Sequence, residues 1–519
     1  MVISLFKINT QKRSSCFLIL SFFLVHNFSK ADPWVDTSNI FLRANIQYLA
    51  DIGIISSPVT TFPLMWQDIA EDIKSTNLAS MGKKAKQAVL FVRHQLKLAK
   101  RNQQSLKIAV ALDDKRFKSF GDGFGDKNTL QISSNFSLGN FAGKITTSST
   151  KSPLVDGDNT SFDDSYGALF FGNWVVSAGL QNRWWGPSWD SSLSLTTNAR
   201  PIPAISLSRK SAIPINIPFT DVDIPWTMTT FMGQMDDNRI VKDTLLWGLR
   251  LTFKPNRHWE VGITRLAQWG GKGRPSDIST FWKVFKGLDN CGGNGPSVEQ
   301  CAAGEEPGNQ MAGYDLRYAN HLFLHPFSIY FTAFAEDGDR KGGLSILGEE
   351  RYQLGFETQL EVLSTNWRLY LEGTDTYAQC QDGNNGDGSS EIGNCYYEHS
   401  IYQTGMRYKQ KNIGSLYDND ATSLVLGAIT QSDANTQFEL KFRSLSLNQD
   451  NSDKAPDNIY IGNTITPIAQ DMMMFSIKAQ HSYRNWRYTI GTDVSHSTFE
   501  NDLAAENNHN LFLQVEYNL

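Results

Sequence analysis

From about residue 107 onward the chain alternates apolar and polar side chains with a period of two, the pattern of a strand with one greasy face and one wet face. The clearest case is YQLGFETQLEV. Tyr352, Leu354, Phe356, Leu360 and Val362 share one face, and Gln353, Gly355, Glu357, Gln359 and Glu361 share the other. In WRLYLEG, Trp367, Leu369 and Leu371 lie opposite Arg368, Tyr370 and Glu372. FELKFR sets Phe438, Leu440 and Phe442 against Glu439, Lys441 and Arg443, and WRYTIGTDV sets Trp486, Tyr488, Ile490 and Val494 against Arg487, Thr489 and Asp493. About eighteen such segments can be read, each near the ~10 residues that a tilted strand needs to cross a bilayer. The polar faces carry both signs of charge, which can pair across neighbouring strands. A filled interior and an open aqueous pore both permit this.

Before residue 107 the period is helical. SNIFLRANIQYLADIGII spaces Ile40, Leu42, Ile46, Leu49 and Ile52 along one face, with Asn39 or Ser38 available as a cap. TFPLMWQDIAEDIK predicts a second helix and SMGKKAKQAVLFVRHQLKLAK a third, apolar at Ala85, Val89, Val92 and Leu96. The first 31 residues form a separate object. Lys7, Lys12 and Arg13 precede the apolar run CFLILSFFLV, and Ser29 and Ala31 place small residues before a cut after Ala31. This is the layout of a secretory signal peptide. The expected division is a signal peptide at 1–31, a helical periplasmic bundle at 32–106, and an outer-membrane β-barrel with long extracellular loops at 107–519.

A soluble β-sandwich also alternates. Two features favour a membrane barrel. Aromatic residues begin or end the apolar faces, as Trp259 and Trp269 do in WEVGITRLAQW. LFLQVEYNL, at the end of the sequence, alternates Leu511, Leu513, Val515, Tyr517 and Leu519 and resembles the terminal strand by which outer-membrane barrels are recognised for assembly. The mean hydropathy of −0.35 suggests a soluble chain, but alternating strands dilute their apolar half with a polar half. Beyond the first 31 residues no apolar run is long enough for a helical span. Short connections (254–258, 364–366, 482–485) and long ones (270–312, 376–400, 447–472) fit periplasmic turns and extracellular loops. The up-and-down count breaks between 376 and 421, which predicts a further strand near YYEHSIYQTGMRYKQ. The expected fold is therefore mostly β: a transmembrane antiparallel β-barrel of about 18 strands with a small N-terminal α-helical bundle. Its expected place is the outer membrane of a Gram-negative bacterium. Its expected partners there are outer-membrane lipid, lipopolysaccharide and, during biogenesis, the assembly machinery.

Charge and cysteine usage narrow the function. Four of the 48 basic residues lie in the first 31 positions, against 53 acidic residues overall. The mature chain is mildly acidic and gives no support to nucleic-acid binding. Beyond Cys16, Cys291 and Cys301 form one pair in sequence and Cys380 and Cys395 another, each in a polar, glycine-rich stretch. An exported chain meets an oxidising compartment, so they read as two local disulfides stapling two loops, although four cysteines allow three pairings. No CxxC or histidine pair accompanies them to suggest a metal, and no cofactor is expected. His321 and His325 lie four apart but flank a turn at Pro326. EDGD at 336–339 lacks the spacing of a calcium loop and reads as a solvated strand end. No nucleophile, P-loop, dinucleotide or zinc-protease signature appears, and no carboxylate pair is assignable to hydrolysis, so no enzyme is expected.

The stretch with the most chemistry is QNRWWGPSWDSSLSLTTNARPIPAISLSRK, residues 181–210. In the strand before it Trp174, Val176, Ala178 and Leu180 face lipid. The same alternation puts Arg183 and Trp185 on the lumen side and Trp184 at the aromatic girdle. Gly186-Pro187 then turns the chain into a loop holding Trp189 and Asp190, with Arg200 and Arg209 further on. Aromatic faces stack on the C–H faces of sugar rings, arginine forks fit carboxylates, and Asp190 can accept from hydroxyls. Arg183, Trp184, Trp185, Trp189, Asp190, Arg200 and Arg209 are thus candidate contacts for an acidic capsular or exopolysaccharide. The alternative is a self-packed turn at a barrel rim, with Arg183 paired to a lumen acid.

RWWGPSWDSSLSLTTNARPIPAISLSR resembles a signature segment of the Wzi capsule-assembly family. LRANIQYLADIGII followed by PLMWQDI, and DNDATSLVLG at 418–427, resemble it as well. The resemblance runs over most of the mature chain. It implies an outer-membrane barrel of about eighteen strands with a helical bundle at its periplasmic end. It also implies a lectin-like, non-enzymatic role: holding exported capsular polysaccharide at the cell surface. It assigns no sugar contact to a numbered residue, and the two cysteine-bearing loops read as particular to this chain. The rival reading is a porin-like channel for small solutes, which shares every fold argument and differs only in whether the lumen is open.

Overall fold

The structure is a computed structural model. It describes residues 32–519 except 102–103, 152, 154–157, 219–221, 237, 289–306, 323–324, 337–348, 363–364, 378–379, 382–390, 393–395, 400, 433–434, 450–457 and 501–502. Residues 1–31, expected as a signal peptide, lie outside the described residues, as do Cys291, Cys301 and Cys395.

The helical period of the N-terminal region produces helices α1 (Ile40–Asp51), α2 (Trp66–Ser75) and α3 (Lys83–Ala99). Asn39 is the cap of α1: its side-chain oxygen accepts from the N–H groups of Phe41 and Leu42 at 3.1 and 3.0 Å, satisfying donors that the helix itself cannot. Ile40, Ile46 and Leu49 are buried on α1, Ile69 and Ile73 on α2, and Val89 and Val92 on α3.

The strands follow in chain order. They are β1 (Gln104–Ala111), β2 (Thr129–Leu138), β3 (Phe141–Thr150), β4 (Thr160–Ser161 and Tyr166–Phe171), β5 (Trp174–Gly179) and β6 (Ala204–Arg209). Next come β7 (Trp226–Gln234), β8 (Leu245–Phe253), β9 (Trp259–Trp269), β10 (Gly308–Leu322), β11 (His325–Glu336) and β12 (Glu349–Val362), with a helix, α4 (Ile278–Lys286), between β9 and β10. The last are β13 (Thr365–Asp375), β14 (Thr422–Gln431), β15 (Thr436–Leu447), β16 (Gln470–Tyr483), β17 (Trp486–Phe499) and β18 (Glu506–Asn518). Each pairs antiparallel with its chain neighbours, and the two pieces of β4 both lie along β3. β18 pairs with β1, from Phe512↔Ala111 to Asn518↔Ser105, and closes the cylinder. Among the described residues the wall is a closed antiparallel barrel of 18 strands.

The further strand expected near residues 396–410 is not in the wall. β13 pairs directly with β14, from Trp367↔Thr430 to Asp375↔Thr422. Residues 401–421 instead fold into the lumen, where Arg407–Tyr408 and Lys411–Asn412 make a small hairpin. The tyrosines and charges of 396–410 are the polar half of no strand. Tyr396, Tyr397, Tyr402, Arg407 and Tyr408 are buried against the rest of the interior.

The alternation of the sequence becomes the two surfaces of the wall. Leu354, Leu371, Phe442 and Ile490 are exposed outward, while Gln353, Glu357, Glu372, Lys441 and Arg443 are buried inward. So much exposed aliphatic surface belongs in lipid rather than water. Trp259 and Trp269 end the outward face of β9 ten residues apart, a span of about 25 Å for a tilted strand. No helix among the described residues is long and apolar enough to cross a membrane.

The segment of α1 and the residues after it is anchored at the end of the barrel that carries the short turns. Arg317 of β10 grips Asp51 with both nitrogens, at 2.5 and 3.0 Å. Lys254 donates to the carbonyls of Ala50 and Ile55 at 3.2 and 2.7 Å, a cation at a helix C-terminus. Glu260 accepts from the N–H groups of Val59 and Thr60, both at 2.8 Å. Asp51→Asn is expected to weaken this clamp. Hydrogen exchange across 40–51 should lose about 1–3 kcal/mol of protection, with the heat-modifiable migration of the barrel retained. Unchanged protection would show that α1 is held by packing alone.

Candidate functional site

β5 ends at Gly179, and residues 180–203 leave the wall for the lumen before β6 resumes it at Ala204. The pleat does not persist to Trp184, so its expected place at the girdle is corrected. Trp184 is fully buried inside, edge-on to Phe120 at 5.6 Å. Trp184 and Trp185 pair antiparallel with Phe62 and Thr61 of the N-terminal region. Gly186 then takes φ +128°, open to glycine but not to side-chain-bearing residues, and its N–H donates to Thr60 at 3.0 Å. The reversal is fixed by Ser192 and Ser194, whose hydroxyls both donate to the carbonyl of Trp185, at 2.5 and 2.9 Å.

Arg43 of α1 lies in a cage of aromatic rings. Its guanidinium is 4.4 Å from the Trp189 ring, 4.7 Å from Phe120, and 5.6 Å from Phe62 and Trp184. It donates to the carbonyls of Pro187 and Ser188 at 3.0 and 2.6 Å. Burial pushes it down to about 10, against the pull of Glu372.

Asp190 sits at the centre of the interior. Arg443 donates to it at 2.7 and 3.2 Å, Lys441 stands at 3.4 Å, and the Tyr417 hydroxyl donates to it as well. Glu372 receives the backbone N–H groups of Trp189 and Asp190, the latter at 3.0 Å. Trp189 also donates its indole N–H to Glu357 at 2.6 Å, and Glu357 is held by Arg368 at 2.7 Å and by Arg317. Burial raises the Asp190 carboxyl, but Arg443 and Lys441 outweigh it and hold the group well below the usual carboxylate range.

From the long-loop end, the chain after β13 closes over this centre. Tyr397 donates to the Leu193 carbonyl at 2.6 Å, and Leu416 N–H donates to Ser191 at 3.0 Å. Arg407 binds Asp418 at 2.9 and 3.0 Å and Glu398 at 2.7 Å. Asp418 also receives Asn412 at 2.8 Å and Thr464 at 2.7 Å.

These contacts decide what the candidates can do. Trp184, Trp185, Trp189 and Asp190 have no exposed surface, and a sugar ring needs an open aromatic face, so their geometry is that of internal packing. Arg183 is buried over the Phe231 ring at 4.3 Å and donates to Gln181 and Ser206 at 3.2 and 2.8 Å rather than to a lumen acid. Arg209 is buried over Trp226 at 3.8 Å and donates to the Trp226 carbonyl at 3.0 Å. Arg200 is only partly buried. It pairs with Asp163 at 2.9 Å and lines a cavity of about 140 Å³ shared with Lys409 and Lys411. Glu336, expected at a solvated strand end, is instead buried and accepts from Asn309 at 2.8 Å. The two-disulfide expectation falls on side chains outside the described residues. Only the backbone of Cys380 is seen, paired with Ile392 in a two-residue ladder.

Sequence reasoning missed Arg43, Tyr417 and Asp418 as parts of one network. The available signal was an arginine amid the apolar positions of α1. The lumen charges of both signs do pair as expected, with Glu439 receiving Lys441 at 2.9 Å and Lys478 at 2.5 Å.

A closed barrel with a lipid-compatible exterior, filled by its own chain, is a plugged transmembrane β-barrel. Residues 97–511 match the family described as capsule assembly protein Wzi, and the chain belongs to that family. It is 28% identical over 317 residues to a Klebsiella pneumoniae protein described as an uncharacterized 55.8 kDa protein in the cps region; the match spans 57% of each of the two. The solved structure of Wzi from Escherichia coli superposes with a TM-score of 0.74 at 21% identity, covering 95% of this chain and 99% of that one. Its description reads as an outer membrane protein involved in group 1 capsule assembly and a carbohydrate-binding β-barrel.

Asp190→Ala leaves Arg443 in the interior without its carboxylate, while Lys441 keeps Glu439. The substitution is expected to cost about 3–5 kcal/mol, seen as a lower temperature for loss of heat-modifiable migration. Arg200→Ala, at a part-exposed pair, is expected to cost about 0–1 kcal/mol. Equal costs would contradict the central position of Asp190. Because its folded pKa is depressed, the contribution of Asp190 is present at neutral pH. It is lost as acidification passes below the ordinary aspartate value of about 3.9 toward the folded one.

Proposed function

We propose that the protein holds an acidic capsular or exopolysaccharide at the surface of a Gram-negative outer membrane, as a lectin-like protein without catalysis. The observation that carries this reading is a cavity lined by charged groups of both signs at the end of the tryptophan segment. Arg200, Lys409 and Lys411 line this cavity of about 140 Å³ together with Lys107, Lys115 and Lys118, and with the carboxylates of Asp114, Asp126, Asp163 and Asp164 among others. Lys409 and Gln410 have φ of 49° and 56°, as the centre of a two-residue hairpin turn requires. Lys409 thus sits at the tip of the inner hairpin. Lys411 donates to the Arg116 carbonyl at 3.1 Å, and burial with the nearby Arg116 charge pushes its ammonium below the usual range. The arginine fork and ammonium groups suit sugar carboxylates, and the aspartates beside them can accept from sugar hydroxyls. In this reading the tryptophan segment acts as the scaffold that carries Arg200 rather than as the sugar platform.

The family description and the named activity of the Escherichia coli neighbour support the same reading. A porin-like channel needs an open lumen, and Trp184, Asp190 and Arg407 stand across it. The short turns and helices α1–α3 face the periplasm and the long loops face outside. Residues 1–31 direct export, 32–106 form the periplasmic bundle and 107–519 the barrel. The four cysteines staple two outer loops, and outer-membrane lipid and the assembly machinery are the remaining partners.

Replacing Arg200, Lys409 and Lys411 together by alanine is expected to lower retention on an immobilised acidic exopolysaccharide by at least about tenfold and to flatten its salt dependence. Retention equal to wild type would remove the cleft as the site. A deletion strain that keeps its surface glycan would remove the function. Non-reducing peptide mapping is expected to return cross-links within each cysteine-bearing loop, and free thiols at those positions would contradict the staples.

A further inference from the structure

Helix α4 lies on the outside of the barrel. Its Val284 is fully buried against Trp247, Ala267 and Trp269, residues on the outward face of β8 and β9. Arg265 stands on that same outward face, four residues in from Trp269, at a depth where an outer wall meets lipid. A bare guanidinium there is costly. It instead donates to the carbonyls of Val284 and Phe285 at 2.7 and 2.6 Å, the negative end of α4. Gln310, also on the outer wall beside Ala267, donates to Val284 at 3.0 Å. The wall under this helix carries Arg265 and Gln310 among its apolar residues, so the helix is held at a depth that begins inside the band of lipid.

The helix is built to persist there. Asp277 caps it, accepting from Ser279 and Thr280 N–H groups at 2.8 and 3.1 Å, and Gly287 ends it with φ +69°. Beyond its wall-packed side, Ile278, Trp282 and Phe285 are 71, 50 and 40% exposed. They recur at the spacing of one helical stripe. Lys283 and Lys286 edge that stripe on the side away from Phe281 and, with Ser279 and Trp282, line a shallow cleft. An apolar stripe bordered by lysines is the pattern of a helix lying in a membrane interface. The stripe continues the barrel's own lipid-facing belt.

We propose that α4 is a docking surface for the phosphorylated glycolipid of the outer leaflet. Ile278, Trp282 and Phe285 enter the acyl boundary, and Lys283 and Lys286 neutralise the headgroup phosphates. The proposal rests on the outer-membrane reading and names the lipid partner that reading requires.

The test uses the full-length protein in detergent, titrated with purified lipopolysaccharide, with bound glycolipid counted by native mass spectrometry. Lys283→Glu with Lys286→Glu is expected to weaken binding by at least about tenfold. Removing the phosphates from the lipopolysaccharide should weaken wild-type binding to a similar degree. Both lysines are exposed, so heat-modifiable migration should be unchanged, as should glycan retention. Equal binding by wild type and the double variant overturns the proposal. So does a dimer formed through this face and abolished by Trp282→Ser without loss of lipopolysaccharide. A chain that stays dissolved without detergent would instead overturn the barrel reading beneath it.

Discussion

The carboxylate of Asp190, received by Arg443, Lys441 and Tyr417 in the middle of the lumen, is the contact on which the interior depends. It joins three parts of the chain: the segment after β5, the wall at β15, and the returning loop before β14. Its neighbours repeat the arrangement. Glu372 takes the backbone N–H groups beside it. Glu357 ties Trp189 to Arg368 and Arg317, and Arg317 in turn holds Asp51 of α1. The helices at the short-turn end and the loops at the other end are thus anchored to one continuous set of charges.

Such a network is weak evidence for stability, because burying ions costs several kcal/mol apiece before they attract each other. Its value is geometric. A polar lumen face is unavoidable in a strand that alternates, since the outward half must be apolar. Filling that lumen with an apolar plug would leave the wall charges without partners. The chain instead inserts segments whose charges and hydrogen-bonding groups match the wall, and it keeps aromatic bulk for the space between. Arg43, boxed by Phe62, Phe120, Trp184 and Trp189, is the clearest junction of the two modes.

The wall and the N-terminal helices were legible in the sequence because their periodicity records which face meets lipid or core. Leu354, Leu371 and Phe442 turned outward as the alternation required. The interior was not legible, for a physical reason. Glu357, Lys441 and Arg443 read the same whether their partner is water or protein. The same ambiguity made the tyrosines and charges of 396–410 look like a strand, when they are buried plug. It also extended the pleat of β5 through Arg183 and Trp184, where the chain had already left the wall. RWWGPSWD was legible as special but not in its role: aromatic and charged residues at high density suit a sugar platform and a packed junction equally. Burial, which periodicity does not encode outside regular elements, is what separates them. Arg200, from that segment, lines the cavity of about 140 Å³.

The proposed retention of polysaccharide at the surface, rather than passage along the axis, requires that closure of the lumen. Single-channel recording in planar bilayers tests it most directly. Full-length protein inserted in its folded form is expected to give no steady current across a range of voltages. Large, stable conductance steps would contradict a lumen closed by the Asp190 network.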